Sequence, residues 1–353
     1  MTRSATFFAA VLVSIGRPAW WLMALATFLL RGGIVVVVLP IMTLPSALAL
    51  SNMFGPIVLP LALGRIEPAI VLGPLAVVIG LLAWLILGGR IAAAIDIALV
   101  REASVSAVDE GVAPTAVLPG SPRLGPSELA WRVLAIRLVA WLPLALAVGF
   151  GVARIVEVTY IELTRPTDVA TPLIVRVAGD VVSHLGLIVL AWALGEVVGG
   201  VATRRATLTS DGHGTALAWA VGTTAARPLS WLVPWIATTA VLAIVLGATL
   251  AAAAFTWARV VDGLSDRLAN PMLALLTMLL FVALWLAAML LGGAILAVRS
   301  AAQTFEHVRR LAREQAGAAG GRARSGVDGA GTFGGPTRSR PGDWSANDEG
   351  GSL

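Results

Sequence analysis

The residues whose types and spacing could carry proton or ion chemistry lie together on one predicted helix. Arg176, Asp180 and His184 follow one another at intervals of four residues and share one helix face, and Glu196 lies further along the same helix. Aspartate and histidine on one face can pass a proton, so one interpretation is a proton relay or ion site. The other is an ordinary ion pair, because counting back from Gly200 places Arg176 and Asp180 near the outer interface. The structural ion pair is the preferred interpretation.

A second candidate is Arg31, which lies about ten residues beyond Trp21 and therefore near the middle of the first predicted span. An arginine at that depth costs about 2.5–3.5 kcal/mol on insertion scales, so it is a functional candidate by default. Gly32 and Gly33 follow it and would loosen the helix. One interpretation is an anion-binding or gating arginine beside a broken helix. The preferred interpretation is that Arg31 pairs with one buried carboxylate, or that the span shifts so that the side chain extends to the interface.

Signatures of enzymes and metal sites are missing from the sequence. All 25 basic residues are arginine and there is no cysteine, which excludes a phosphate-binding loop with a lysine, a thiolate nucleophile and a cysteine-ligated metal. The motifs H-E-x-x-H and G-x-S-x-G are absent, and the only histidines are His184, His213 and His307. We therefore predict no catalytic residue, no cofactor and no metal, and an intramembrane enzyme is the least favoured class.

The elements that position these residues are predicted to be membrane-spanning helices. The chain of 353 residues is 58% hydrophobic and 13% charged, with a mean hydropathy of +0.88, which is too apolar for a water-soluble domain. Uncharged stretches of about 20 residues match the thickness of a hydrocarbon core. We predict an all-α integral membrane protein with a membrane domain over residues 1–314. The six predicted spans are Trp20–Ile41, Ala69–Gly89, Val133–Ala153, Leu173–Val201, Leu229–Ala254 and Met272–Val298.

The distribution of arginine predicts the orientation of the chain. Eighteen of the 25 arginines lie at the N-terminus, in the second and fourth connections, or after the sixth span. Because basic residues concentrate on the cytoplasmic side, both termini are predicted to be cytoplasmic, in the inner (plasma) membrane of a bacterium. The partners expected are the lipid bilayer and its anionic headgroups at the cytoplasmic face. The pI of about 11.1 then needs no nucleic-acid partner.

An internal repeat is predicted, with units at about residues 5–103, 127–206 and 215–314. Each unit begins with a short apolar helix at the membrane interface, followed by an arginine and a tryptophan that anchor the next span. These anchors are Arg17 with Trp20 and Trp21, Arg137 with Trp141, and Arg227 with Trp231. Because the first anchor recurs twice in mid-chain, we predict that the N-terminal segment is retained rather than cleaved as a signal peptide.

Three further segments carry predictions. Residues 43–68 are apolar but interrupted by Pro and Gly, and are expected to lie in the interface or to re-enter the membrane. Residues 315–353 are rich in Gly, Ala, Ser and Arg and are expected to form a disordered cytoplasmic tail. Gly195 and Gly199 have the spacing of close helix packing.

The stretches "RPAWW" and "RPLSW", with the hydropathy around them, resemble bacterial and archaeal polytopic proteins related to the membrane domain of glycerophosphoryl diester phosphodiesterases. The resemblance implies a membrane module that is sometimes fused to a soluble enzyme. No such catalytic domain is found in this sequence, so the resemblance implies an architecture and no activity.

Two functions follow from the residues. The preferred one is a non-catalytic membrane module that organises lipid, partner proteins or copies of itself. The alternative is a transporter or channel for a small solute or lipid, which would use Arg31 and the Arg176/Asp180/His184 face. A polar cavity that joins Arg31 to Asp180 would favour transport, whereas a dry, closely packed centre would favour the module.

Overall fold

The computed structural model describes residues 2–38, 68–114, 125–165, 173–265 and 271–329, with the single residues 41, 168 and 171. Within these ranges all regular secondary structure is helical. The helices are α1 (Arg3–Ile15), α2 (Pro18–Phe28), a π-helical turn (Leu29–Gly33), α3 (Ile34–Val38), α4 (Pro68–Asp109), α5 (Pro126–Thr164), α6 (Leu173–Thr209), α7 (His213–Ala226), α8 (Pro228–Ser265) and α9 (Pro271–Gly329). The interface or re-entrant prediction for residues 43–67 lies outside the described residues.

Six of these stretches are long and apolar enough to span a membrane, which confirms the predicted number of spans. The first is formed by α2, the π-helical turn and α3, and the others are α4, α5, α6, α8 and α9. The last five candidate spans have 35 to 47 residues and are longer than predicted. A helix of about 20 residues already crosses the hydrocarbon core, so these helices continue well beyond it.

Proline decides where the chain breaks before a span. Pro18 and Pro228 occupy the first turns of α2 and α8, and separate short helices, α1 and α7, precede them. Proline is favoured in the first turn of a helix and disfavoured further in, because it has no amide hydrogen to donate. Pro143 and Pro234 are nevertheless accommodated inside α5 and α8. Arg137 is followed by leucine, and α5 runs through this point without a break. The separate short helix predicted before the third span is therefore not formed.

The buried core lies at the arginine-rich end of the bundle. Ala10 of α1, Trp20 of α2, Leu99 of α4 and Phe305 of α9 belong to one cluster of buried side chains, and each is at most 2% exposed. The other half of α4, residues 71–87, presents mostly exposed apolar side chains. An apolar surface of this extent fits a lipid environment. The helices therefore pack tightly at one end and contact lipid along the other.

The last helix runs from the membrane domain into the start of the predicted tail. Helix α9 extends to Gly329 and so includes residues 315–329, while the character of the tail as a whole stays a prediction. Ala and Arg are good helix formers, and extending an existing helix avoids the cost of nucleation. Residues 330–353 of the predicted tail lie outside the described residues.

Glycine allows the closest approaches between helices. A Cβ atom on Gly195 of α6 would lie 2.8 Å from the carbonyl oxygen of Ala140 on α5, so the predicted close packing at this glycine is confirmed. A Cβ atom on Gly293 of α9 would lie 2.7 Å from the carbonyl oxygen of Trp21 on α2. Neither distance is compatible with a side chain unless the helices move apart.

We expect Gly293→Ala to destabilise the fold by about 1–3 kcal/mol, the usual cost of overpacking. Gly292→Ala is the matched control, because its Cβ atom would make an ordinary contact of 3.7 Å with the side chain of Leu246. Since alanine is the better helix former by about 1 kcal/mol, the control should be neutral or stabilising. Thermal unfolding of the purified protein checks both variants. Equal midpoints would show that α9 and α2 are not in backbone contact at Gly293.

Candidate functional site

A cavity of about 310 Å³ lies at the centre of the helix bundle. Each of the six candidate spans contributes side chains to it. Its polar lining includes Thr27 and Arg31 from the first span, Asp96 from α4, Arg137 from α5, Glu196 and Arg204 from α6, Thr239 from α8, and Arg299, Ser300 and Gln303 from α9. The cavity is therefore built by the whole membrane domain and not by a single helical hairpin.

A break in the first span positions Arg31. The chain forms a π-helical turn over Leu29–Gly33, and Gly32 has a φ of 101°. Side chains other than hydrogen are strongly disfavoured at this φ, which is the physical reason for a glycine here. The turn places the Arg31 guanidinium 3.0 Å from the carboxylate of Asp96 on α4. The break predicted beside Arg31 is thus present, and it is part of the cavity wall.

The charged side chains form one connected series across the cavity. Asp96 lies between Arg31 and Arg137, with N–O distances of 3.0 and 3.3 Å. Glu196 lies between Arg137 and Arg299, at 3.9 and 3.5 Å. Most of these partners are far apart in the sequence, so the series joins α4, α5, α6, α9 and the first span. Such a network fixes the relative positions of the five spans.

Arg204 adds a cation that these carboxylates do not contact. Its guanidinium donates to the hydroxyl of Thr304 at 3.1 Å, to the carbonyl of Gly200 at 2.8 Å and to Ser300 at 3.2 Å. All three partners are neutral, and Arg204 is 3% exposed. With Arg31, Arg137 and Arg299, the cavity holds four guanidinium groups and the carboxylates of Asp96 and Glu196. It therefore carries an excess of two positive charges.

Several buried polar atoms in the cavity lack a hydrogen-bond partner among the described residues. They are Nε and Nη1 of Arg137 and the hydroxyl oxygens of Thr27 and Thr239. Buried donors are hydrogen-bonded in the great majority of native structures, so each exception needs a cause. Here the donors line a single cavity that has room for a small molecule. Together with the positive excess, they could donate to an anion.

The structure distributes the sequence-predicted polar residues over two places. Arg31 and Glu196 line the cavity. Arg176 instead pairs with Glu162 of α5 at 2.6 Å, and Asp180 is exposed on the outer surface. His184 contacts the neighbouring Ser183 hydroxyl at 3.3 Å. The cavity thus joins Arg31 to Glu196 and does not include Asp180 or His184.

Some of the predicted interface anchors are exposed at the surface, and others are buried inside the protein. The guanidinium of exposed Arg17 lies 5.1 Å from the ring centroid of Trp20, and the exposed Arg227 ends α7. Trp20 and Trp231 are buried inside the protein, at 1% and 2% exposure. The indole of Trp20 donates to Glu102, and that of Trp21 donates to the carbonyl of Ser14. These aromatic rings hold the short helices against the spans.

Arg137 and Trp141, which the repeat pattern placed with the interface anchors, both line the cavity. The indole of Trp141 donates to Glu196 at 3.2 Å. Because α5 is unbroken at this point, Arg137 lies within the helix and its side chain lines the central cavity. Arg137 therefore has a different environment from Arg17 and Arg227, with which the predicted repeat grouped it.

Sequence reasoning did not identify Asp96, Arg204 and Arg299. All three lie just beyond the predicted end of a span, because the spans were closed at Gly89, Val201 and Val298. The usable signal was the apolar spacing that continues past Gly89 through Ala93, Ile97 and Val100, which are all buried. It indicates that α4 remains a packed helix where a connection between spans was predicted.

Comparisons of the chain with protein-family models, with curated proteins and with solved structures find no match. Fold and site together define the class: a multi-pass helical membrane protein with a charged cavity at its centre. Within the described residues, no group of three or more acidic or histidine side chains is arranged to hold a metal ion. The function is therefore inferred from the charge and geometry of the cavity.

Proposed function

We propose that this protein binds an anion in the central cavity and belongs to the transporter or channel class. The observation that carries the proposal is the excess of two positive charges in a cavity where the Nε and Nη1 donors of the buried Arg137 have no hydrogen-bond partner among the described residues. An uncompensated buried charge is costly, and a bound anion removes that cost. This is the role of an anion-binding arginine that the sequence suggested for Arg31.

The construction of the cavity supports transport more than a purely structural role. In many transporters the binding site lies where helices are interrupted and where several spans meet. Here the interruption at Gly32 adjoins Arg31, and all six candidate spans reach the cavity. Such an arrangement lets a movement of one span change access to the anion.

The proposal includes an orientation and a location. We place both termini in the cytoplasm and the protein in the inner membrane of a bacterium, with three tandem units and with α1 and α7 at the cytoplasmic interface. The arginine distribution and the short apolar helices support this arrangement. The packed arginine-rich end would then be cytoplasmic and could contact anionic headgroups.

Replacing one cavity arginine tests the function. We expect Arg299→Gln to weaken binding of inorganic phosphate or sulfate about tenfold, because one charged donor is lost and the positive excess falls to one. Arg259→Gln is the matched control, because Arg259 is exposed on α8 and does not line the cavity. Isothermal titration of the purified full chain measures binding, and efflux from liposomes measures transport.

The outcomes separate the two functions predicted from the sequence. Saturable anion binding that Arg299→Gln weakens and Arg259→Gln does not would support the proposal. If the full chain binds no anion, with or without a hydrocarbon chain, and liposomes show no flux, the proposal fails. The non-catalytic module that organises lipid or partner proteins would then be the better interpretation.

A further inference from the structure

A second, smaller cavity of about 100 Å³ adjoins the central one. It lies between α4 and α5, beside the π-helical turn of the first span. The two cavities share Arg31, Arg137 and Trp141 as lining residues. A ligand whose charged group contacts the two arginines could therefore extend from the central cavity into this side cavity.

Apart from the two arginines, the lining of the side cavity is almost entirely apolar. It includes Leu30, Leu134 and Ala93, and no carboxylate lines it among the described residues. A small hydrated anion gains nothing from such a wall, whereas a hydrocarbon chain does. The two arginines thus lie where the charged central cavity meets the apolar side cavity.

The side cavity lies at the outer surface of the bundle. Trp84, Leu85 and Leu138 line it and are also 45%, 39% and 38% exposed. Trp84 and Leu85 continue the exposed apolar surface of α4, and Leu138 adds an apolar side chain from α5. The hydrocarbon chain of a ligand in the side cavity could therefore extend into the bilayer without crossing a polar barrier.

The π-helical turn of the first span lies beside the side cavity and contributes Leu30, Arg31 and Gly32 to its lining. Nothing lies within 4 Å of the position that a Cβ atom on Gly32 would occupy. A Cβ atom on Gly88 of α4 would lie 3.4 Å from the carbonyl oxygen of Leu30 in the π-helical turn. The turn thus contacts α4 through backbone on one side and leaves open space at Gly32 on the other.

We infer that the anion carries a hydrocarbon chain: the ligand is an anionic amphiphile whose head contacts Arg31 and Arg137 and whose chain leaves through the side cavity between α4 and α5. This inference rests on the proposed anion-binding function and names its ligand class. An anionic amphiphile and a free anion would both present a phosphate or carboxylate group to the arginines. Only the amphiphile also has a hydrocarbon chain, so the effect of that chain on affinity distinguishes the two ligands.

The test compares three probes on the purified full chain in amphipol: inorganic phosphate, dodecyl phosphate and dodecylphosphocholine. Dodecyl phosphate is expected to bind at least 100-fold more tightly than inorganic phosphate, because burial of each methylene is favourable. Dodecylphosphocholine has the same chain but a zwitterionic head, and it should bind at least tenfold more weakly than dodecyl phosphate. Trp141 and Trp192 line the central cavity, so tryptophan fluorescence follows binding.

A pair of variants tests the path of the chain. Leu85→Trp places a larger side chain at the opening of the side cavity, and we expect about a tenfold loss of affinity for dodecyl phosphate with no change for inorganic phosphate. Leu82→Trp is the matched control, since Leu82 is exposed on the same helix and does not line either cavity. It should leave both affinities unchanged.

The results distinguish failure of this inference from failure of the proposed function. Equal affinity for inorganic phosphate and dodecyl phosphate, or equal losses for both probes in Leu85→Trp, would overturn the inference and leave an anion site. Equal binding of dodecyl phosphate and dodecylphosphocholine would also overturn it, because the head would then not be recognised. Binding of none of the probes would refute the proposed function itself.

Discussion

Replacing Asp96 with asparagine is expected to lower the thermal unfolding midpoint by on the order of 10 °C. Asp96 is 6% exposed and lies between Arg31 and Arg137, at 3.0 and 3.3 Å. Without its charge, two guanidinium groups face each other in a medium of low dielectric constant. Removing one partner of a buried ion pair typically costs about 3–5 kcal/mol, because the remaining charge is neither paired nor solvated.

The Asp96→Asn variant should also become dependent on anions for its stability. The positive excess of the cavity rises from two to three charges, so an anion that binds there compensates more. A ligand that binds only the folded state stabilises it in proportion to the logarithm of its concentration over its Kd. We therefore expect millimolar phosphate, or lower concentrations of dodecyl phosphate, to restore much of the lost midpoint.

Asp180→Asn is the control for this prediction. Asp180 is exposed and lies outside the cavity, so its neutralisation should change the midpoint by no more than a surface substitution does, about 0.5 kcal/mol or less. Unfolding is measured for both variants with and without added anion. Equal small shifts in the two variants would contradict the central position that the structure gives to Asp96.

The second large effect is expected on ligand binding. We predict that Arg137→Gln weakens anion binding about 100-fold. Its Nε donor has no hydrogen-bond partner among the described residues, and its Nη1 donor lies 3.9 Å from Glu196, beyond hydrogen-bond distance, so both can donate to a ligand. Two hydrogen bonds to a charged group, at about 1.5–3 kcal/mol each, are sufficient for a change of this size. Titration of the purified variant with inorganic phosphate and with dodecyl phosphate measures the loss.

The fold should survive this substitution better than it survives Asp96→Asn. After Arg137→Gln, Asp96 keeps Arg31 and Glu196 keeps Arg299, so no carboxylate is left without a cation. Arg154→Gln is the control on the same helix, because Arg154 pairs with exposed Glu157 away from the cavity. An unchanged affinity in Arg137→Gln would show that the anion is held by other groups.

The spans were predictable because their physical cause is local. An uncharged stretch of about 20 residues has to be buried in lipid or protein, wherever its neighbours lie. The breaks at Arg17 and Arg227 were predictable for the same reason, since a proline follows each. A break was predicted at Arg137 by analogy with Arg17 and Arg227. No proline follows Arg137, and the helix is continuous there.

The cavity was less predictable because its contacts are tertiary. Asp96 contacts Arg137 across 41 residues, and Arg299 contacts Glu196 across 103. No spacing along one helix indicates such pairs. Conversely, Arg176, Asp180 and His184 have the expected helical spacing, but Arg176 is paired with a neighbouring helix and Asp180 is exposed. Spacing places residues on a face, and only packing decides what that face meets.

Helix α9 carries both the cavity lining and the packed end of the bundle. Gln303 lines the cavity, and two residues further on Phe305 belongs to the buried cluster. Glu314 of the same helix pairs with Arg205 of α6 at 3.1 Å. At 1.5 Å per residue, the helix rises about 17 Å from Gln303 to Glu314, so one continuous element joins the site to the contacts that hold the end of the bundle together.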